Sequence, residues 1–170
     1  MDQLIFSYLH SWAGRWALLD LLLVFLAQYL PYLLVAVFVV LIFIDRNKMR
    51  RFYFIFLSAL SLLVARGLIT EIIRFFYPRP RPFLELNFQA LITHPGSASF
   101  PSGHAVTFFV LAAVVFFMDR KYFYYFLGGA ILNALARVAV GVHWPTDVLA
   151  GAVIGLVTVV ALYKFLPKTK

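Results

Sequence analysis

Three groups of polar residues interrupt an otherwise apolar sequence, and their side chains are those that phosphate chemistry uses. The groups are Arg74-(six residues)-Arg81-Pro82, Pro101-Ser102-Gly103-His104 and Arg137-(five residues)-His143-(three residues)-Asp147. Guanidinium groups bind phosphate oxygens in pairs. One imidazole can attack phosphorus while another protonates the leaving oxygen, because imidazole titrates near neutral pH. A carboxylate bonded to the far nitrogen of the attacking ring fixes its tautomer. These residue types therefore predict phosphoryl transfer.

The second group also predicts the start of a helix. Ser102 is a good N-cap, and the apolar run from Ala105 to Met118 can continue the helix. The unpaired N–H groups of a helix N-terminus attract anions, and His104 stands beside them. Taken alone, this segment fits equally well a capped helix with an incidental histidine.

The overall composition is that of a polytopic membrane protein. Of the 170 residues, 64% are hydrophobic and only 13% are charged, whereas soluble domains have about 45–50% and about 25%. The length suits one integral-membrane domain, 1–170. A net charge of +8 is compatible with nucleic-acid binding, but the charges fall at the ends of apolar runs, so no nucleic-acid partner is expected. The absence of cysteine excludes disulfides and thiolate metal sites.

The apolar runs predict an all-α bundle of about five transmembrane helices, preceded by an interfacial helix over residues 2–17. The predicted spans are Leu21–Ile44, Phe52 to about Phe76, Ala105–Met118, Tyr122–Ala136 continuing towards Val140, and Val148–Tyr163. Pro31 predicts a kink in the first span. Gly151 and Gly155 predict a helix-packing face, within the chain or between chains. The oligomeric state stays open.

The basic residues predict the orientation in the membrane. Clusters at 45–51, 120–121 and 164–170 hold nine of the fifteen Lys and Arg residues and fall on one side of a five-span arrangement. Positive charge accumulates on the cytoplasmic side. The loops 77–103 and 138–147 then face outwards, with the N-terminus outside and the C-terminus inside.

Three ionisable residues are expected at one depth in the membrane. Counted inwards from the basic end of their helices, His104, Arg137 and Asp147 lie 15 to 17 residues along. At about 1.5 Å per residue, each rises roughly 22–26 Å, which is short of a ~30 Å hydrocarbon core. Ionisable residues inside a membrane are costly and indicate function. A shared site just beneath the outer surface is therefore predicted.

The three motifs resemble those of the type-2 phosphatidic acid phosphatase superfamily. That family's motifs read Lys-(six residues)-Arg-Pro, Pro-Ser-Gly-His and Ser-Arg-(five residues)-His-(three residues)-Asp, and the match runs from Arg74 to Asp147. Two positions depart from the pattern. Arg74 replaces the lysine, which keeps the charge but changes its geometry, and Ala136 replaces the serine, which removes a hydroxyl.

The resemblance implies a role for each motif residue. His143 is the expected nucleophile that forms a phosphohistidine, Asp147 orients it, and His104 is the general acid. The expected phosphate-binding residues are Arg74, Arg81, Ser102, Gly103 and Arg137. The family needs no metal, so neither a metal nor another cofactor is expected.

Within the family, the short chain and the segment from Leu91 to His104 resemble bacterial undecaprenyl-diphosphate phosphatases of the bacitracin-resistance type. This implies hydrolysis of undecaprenyl diphosphate to undecaprenyl phosphate at the extracytoplasmic face of the bacterial inner membrane. Phosphatidylglycerophosphate, phosphatidic acid and lipid A 1-phosphate are alternative substrates. A membrane transporter or lipid-binding protein that only binds an anion is the alternative of another class.

Three polar residues outside the motifs need separate interpretation. Arg79 fits either a substrate contact or a solvated loop charge, and His94 is interpreted as a surface residue. Arg66 lies 15 residues beyond Arg51, near the expected depth of His104. A buried ion pair, with Glu71 as the nearest acidic residue, or a water-lined cavity is favoured there over catalysis.

Overall fold

Residues 1–167 are described by a computed structural model, and they form helices and loops without a β-strand. The helices are α1 Asp2–His10, α2 Ala17–Ile44, α3 Lys48–Phe76, α4 Pro82–Glu85, α5 Gly103–Met118, α6 Arg120–Ala139 and α7 Pro145–Phe165. The all-α prediction is confirmed. The last three residues of the predicted basic tail, 168–170, lie outside the described residues.

Three helices are long and apolar enough to cross a membrane. They are α2, α3 and α7, with 28, 29 and 21 residues and mean hydropathies of 2.4, 2.0 and 2.1. The chain is therefore a membrane protein. α5 is apolar but has only 16 residues, and the total of five spans stays a prediction. The predicted N-terminal helix over residues 2–17 is shorter than expected, because it ends at His10 and Gly14 then adopts a φ of +77°.

α5 forms the centre of the bundle. Its residues from Ala105 to Val115 are buried with the single exception of Thr107, as expected for a helix that is hydrophobic on all sides. α7 packs closely along it at two glycines. A Cβ on Gly151 would lie 2.6 Å from the Ser102 carbonyl oxygen, and one on Gly155 would lie 2.7 Å from that of Val106. The predicted glycine packing face therefore works within the chain.

The proline in α2 frees a carbonyl that α6 uses. Pro31 has no N–H and cannot donate to the Ala27 carbonyl, four residues earlier, and residues 25–29 form a π-helical turn. The Ala27 oxygen instead accepts from Arg137 Nη1 at 3.3 Å and from Asn133 Nδ2 at 3.2 Å. The Ala27 carbonyl in the π-helical turn thus anchors the arginine of the third motif.

The two ends of the bundle differ in character. At one end, Arg50 donates to the Met118 carbonyl, and the rings of Phe117 and Tyr163 stack at 3.7 Å. The basic segments 45–51 and 120–121 and the C-terminal end of α7 therefore meet at this end. At the other end, the Ser102 amide donates to the Asp147 carbonyl at 3.0 Å, which joins the N-termini of α5 and α7.

Candidate active site

A cavity of about 370 Å³ opens at the end opposite the basic clusters. Cationic or titratable side chains dominate its wall, and five residues predicted from the motifs share it. The lining includes Arg66, Arg74, Arg81, His94, Ser97, Gly103, His104, Thr107, Phe108 and His143. The fold therefore brings all three motifs together.

His143 is buried, with 1% of its surface exposed. Its Nε2 lies 3.3 Å from Arg81 Nη1. Because a guanidinium can only donate, Nε2 is the acceptor and carries the lone pair, and the proton of the neutral ring is on Nδ1. Nδ1 lies 3.5 Å from Asp147 Oδ2 and 3.4 Å from Ser99 Oγ. This arrangement suits an attack by Nε2 with the carboxylate behind the ring.

The surroundings of His143 keep its ring neutral. Burial lowers the pKa of His143 well below 6.5, and the positive charges of Arg137 and Arg81 lower it further. Burial and nearby positive charge both disfavour the protonated imidazolium form. The lone pair on Nε2 is therefore present at neutral pH.

Asp147 is fully buried in the first turn of α7 and is held by three donors. The Trp144 amide donates to Oδ2 at 2.8 Å, Ser99 Oγ donates to the same oxygen, and Arg79 Nη1 donates to Oδ1 at 2.9 Å. The carboxylate is thus fixed before any substrate arrives. Ser99 belongs to no motif, and nothing in the sequence indicated its contact.

Arg79 matches neither of its two sequence interpretations. Its side chain is only 19% exposed, and it does not line the cavity. It bridges two carboxylates, with Nη2 at 2.7 Å from Asp2 and Nη1 at 2.9 Å from Asp147. It acts on the cavity indirectly, through Asp147.

Arg81 and Arg74 reach the cavity from its first motif. Arg81 is 1% exposed and donates to the carbonyls of Ser97 at 2.9 Å and Val142 at 2.8 Å. Burial, then the charge of Arg74, lowers the pKa of Arg81 to about 10, so it stays protonated at neutral pH. Arg74 donates to the Pro101 carbonyl at 3.1 Å, while its buried Nε has no protein partner.

Ser102 and Gly103 differ in what they offer a phosphate. Ser102 is buried, and its Oγ accepts the Ala105 amide at 3.5 Å. This confirms the predicted N-cap. Ser102 is not among the residues that line the cavity, and its expected contact with phosphate stays a prediction. Gly103 does line the cavity.

Arg137 lies in an adjoining cavity of about 300 Å³, which shares His94, His104 and Phe108 with the first. It is 3% exposed, and its Nε and Nη2 have no hydrogen-bond partner. An unpaired buried guanidinium is costly and favours an anion. Within residues 1–167, no group of three or more His, Asp or Glu side chains is placed to hold a metal.

The PAP2 superfamily model matches residues 54–170. The chain belongs to the PAP2 superfamily. All three motifs and the cavity that they form lie inside the matched region. Arg74 and Ala136, the two positions at which the chain departs from the motifs it resembles, also lie inside the matched region.

Curated relatives and a solved structure extend the likeness over nearly the whole chain. The bacitracin transport permease protein BcrC of Bacillus licheniformis is 29% identical over 164 residues, which cover 96% of this chain and 79% of that protein. The undecaprenyl-diphosphatase BcrC of Bacillus subtilis strain 168 is 28% identical over 167 residues, covering 97% and 84%. The crystal structure of Aquifex aeolicus LpxE has a TM-score of 0.79 at 25% identity, covering 96% and 95%.

His94, interpreted from the sequence as a surface residue and not a catalytic one, lies in the wall of this PAP2 site. It is half-buried, lines both cavities, and its ring centroid lies 6.3 Å from that of His143. Burial lowers the pKa of His94 to about 4. The loop that carries His94 is held to the cavity wall by Arg81, which donates to the Ser97 and Ala98 carbonyls.

Proposed function

We propose that this PAP2 protein is a membrane lipid phosphatase that hydrolyses undecaprenyl diphosphate to undecaprenyl phosphate and inorganic phosphate. The observation that carries the proposal is the environment of His143. Its Nε2 is an acceptor in a cationic cavity, and its Nδ1 lies 3.5 Å from a fixed carboxylate. His104 lines the same cavity. This is an arrangement for covalent phosphoryl transfer with acid catalysis.

In the first step, Nε2 of His143 attacks the terminal phosphorus. A P–N bond forms while the bond from phosphorus to the bridging oxygen breaks. That oxygen takes a proton from His104, and undecaprenyl phosphate leaves. Asp147 stabilises the positive charge that develops on the His143 ring. Arg74, Arg81, Arg137 and the Gly103 amide hold the transferred phosphoryl oxygens.

In the second step, water attacks the phosphohistidine. His104, now neutral, takes a proton from that water as the P–O bond forms and the P–N bond breaks. Inorganic phosphate leaves, and both histidines return to their starting states. The net change is one water consumed and one phosphate released for each diphosphate.

The surroundings of the cavities support a lipid substrate. The adjoining cavity is bordered by Tyr32 and Val35 on α2, whose side chains are 72% and 43% exposed. This is the apolar outer face of a helix long enough to cross a membrane. A polyprenyl tail in the bilayer can therefore lie beside α2 while its diphosphate enters the cationic cavity.

The proposal includes a topology in which α2, α3, α5, α6 and α7 all cross the bacterial inner membrane, with the active site on the extracytoplasmic side. α1 then lies at the outer interface. Since the chain has no cysteine, single cysteines report their own position. In intact cells, an impermeant thiol reagent should label Glu85→Cys and should not label Lys48→Cys before lysis. The reverse pattern would invert the orientation.

The test of function is phosphate release from undecaprenyl diphosphate in detergent with EDTA present. The wild type should turn over, and His143→Ala should not. Substrate labelled in its terminal phosphate, mixed with the wild type and quenched in alkali, should label the protein through an acid-labile, alkali-stable bond, and His143→Ala should carry no label. Lys121→Gln, at the far end of the bundle, is the control. Full turnover by His143→Ala would rule out the phosphohistidine, and a strict requirement for Mg²⁺ would contradict a metal-free reaction.

Substrate choice is tested by one panel. Undecaprenyl diphosphate, phosphatidylglycerophosphate, phosphatidic acid and lipid A 1-phosphate are compared by kcat/KM under the same detergent conditions. The proposal expects the highest value for undecaprenyl diphosphate. A higher value for any of the other three would name that lipid as the substrate.

Transport is the second candidate, because one relative carries the name of a bacitracin transport permease. Binding an anion needs arginines, whereas a histidine backed by a buried carboxylate serves nucleophilic attack. If purified protein in liposomes moves a lipid phosphate or bacitracin without releasing phosphate, the transport function is supported instead.

A further inference from the structure

Arg66 lies outside the three PAP2 motifs, yet its side chain lines the same cavity as Arg74 and Arg81. It is held in a π-helical segment of α3, Leu63–Ile69. In a regular α-helix, residues eight apart point about 80° away from each other. A π-helical segment changes this offset by accommodating an additional residue. With this π-helical segment in α3, Arg66 and Arg74 both line one cavity.

The guanidinium of Arg66 packs directly on Gly103. A Cβ at Gly103 would lie 2.5 Å from Arg66 Nε and 3.0 Å from its Cζ, so the close approach depends on the missing side chain. Gly103 immediately precedes His104, the proposed acid. Arg66 therefore lies beside the residue that protonates the leaving oxygen.

One carboxylate serves two of the arginines. Glu71 Oε1 contacts Arg66 Nη1 at 2.5 Å and Arg74 Nη1 at 3.2 Å. The side chain of Glu71 is 52% exposed, and Glu71 is not among the residues that line the cavity. Its single charge leaves the Arg66–Arg74 pair with a net positive charge, and an exposed ion pair is readily exchanged for a better anion.

We propose that Arg66 binds the leaving-group phosphate of a lipid diphosphate and thereby selects diphosphates over monophosphates. This inference rests on the proposed function and specifies its substrate class. When a monophosphate ester is cleaved, the leaving group is an alcohol, which gives Arg66 no anion to bind. When a diphosphate is cleaved, the leaving group is itself a phosphate, and additional negative charge develops on it in the transition state, where bond breaking runs ahead of proton transfer from His104. A guanidinium beside that group stabilises the transition state more than the ground state.

The experiment compares Arg66→Gln with the wild type on an isoprenyl diphosphate and on the isoprenyl monophosphate with the same tail. The ratio of kcat/KM for diphosphate to that for monophosphate should fall about tenfold or more, since a charged hydrogen bond is lost. Turnover of the monophosphate should fall much less than that of the diphosphate, because Arg66 has no leaving-group anion to bind there. Arg66→Lys should restore part of the ratio. Arg51→Gln, at the opposite end of α3, is the matched control and should leave the ratio unchanged.

A second measurement needs no monophosphate turnover. Methylenediphosphonate should inhibit the wild type more strongly than methylphosphonate does, and Arg66→Gln should lose most of this difference. If Arg66→Gln does not fold, Glu71→Gln replaces it. That change frees both Arg66 and Arg74 from their ion pairs with Glu71, and it should increase the binding of methylenediphosphonate more than that of methylphosphonate.

Two results distinguish a failure of this inference from a failure of the proposed function. Equal losses by Arg66→Gln on both substrates, together with equal losses in inhibition by both phosphonates, would show that Arg66 only shapes the cavity. The protein would then still be a lipid phosphatase, but Arg66 would not select diphosphates over monophosphates. A wild type that releases phosphate from neither lipid would instead overturn the proposed function itself.

Discussion

Arg79 donates a 2.9 Å hydrogen bond to Oδ1 of Asp147, while Oδ2 of the same carboxylate lies 3.5 Å from His143 Nδ1. Nη2 of Arg79 donates to Oδ2 of Asp2 at 2.7 Å. Asp2 also accepts the amide of Thr146 at 3.0 Å. The first helix of the chain is therefore tied, through one arginine, to the carboxylate that faces the proposed nucleophile.

Replacing Arg79 by methionine should lower kcat about tenfold and change KM much less, because Asp147 loses one of three donors and Arg79 is not in the cavity wall. Asp2→Asn should have a smaller effect in the same direction. Steady-state kinetics on the preferred lipid measure both, and the exposed Arg15→Gln serves as control. A raised KM with unchanged kcat would show instead that Arg79 binds substrate.

The acid limb of the pH–rate profile should lie well below pH 6.5. Attack requires the unprotonated ring, and burial with the charges of Arg137 and Arg81 lowers the pKa of His143. The free ring therefore stays neutral as the pH falls through 6.5, and kcat/KM should decline only when the pH approaches the lowered pKa. Titration of the substrate phosphate can also produce an acid limb. Two substrates whose phosphates have different pKa values distinguish the two causes, because a limb that belongs to the enzyme stays at the same pH for both. An acid limb at or above pH 6.5 for both would contradict the neutral, buried nucleophile.

Gly151→Ala should reduce both stability and activity. The added Cβ would meet the Ser102 carbonyl at 2.6 Å, and overpacking of this kind costs about 1–3 kcal/mol. It would also push the start of α5, and with it His104, away from α7. Thermal unfolding in detergent and phosphate release measure the two effects. Gly128→Ala is the matched control, because nothing lies within 4 Å of its added Cβ. Equal behaviour of the two variants would show that α5 and α7 are not closely packed at Gly151.

Five of the residues that line the cavity were predictable because they lie in three short motifs. Arg74, Arg81, His104 and His143 were predicted to meet, and they line one cavity. The N-cap at Ser102 followed from local chemistry, since one hydroxyl satisfies the amide three residues later. Such local rules give the cap, whereas the expected contact of Ser102 with phosphate stays a prediction.

The contacts made outside the motifs come either from irregular backbone or from residues that are far apart in the chain. Arg66 comes from a π-helical segment, which the regular 3.6-residue period does not anticipate. His94 and Ser99 come from the long loop, whose path depends on Arg81 binding carbonyls 16 and 17 residues away. The pair of Asp2 and Arg79 spans 77 residues and has no periodic signal at all.

Arg137→Met should make the empty protein more stable while it weakens phosphate binding. In the wild type, the Nε and Nη2 of Arg137 are buried without a partner, and an uncompensated buried charge destabilises the fold. Methionine fills much of the same volume without a charge. Inorganic phosphate should raise the Tm of the wild type by mass action, and it should raise that of Arg137→Met much less. Thermal unfolding with and without phosphate measures both effects, and the exposed Arg120→Gln is the control. If Arg137→Met is less stable without phosphate and gains the same Tm shift with it, then Arg137 is a structural anchor for Ala27 and not a ligand for the substrate.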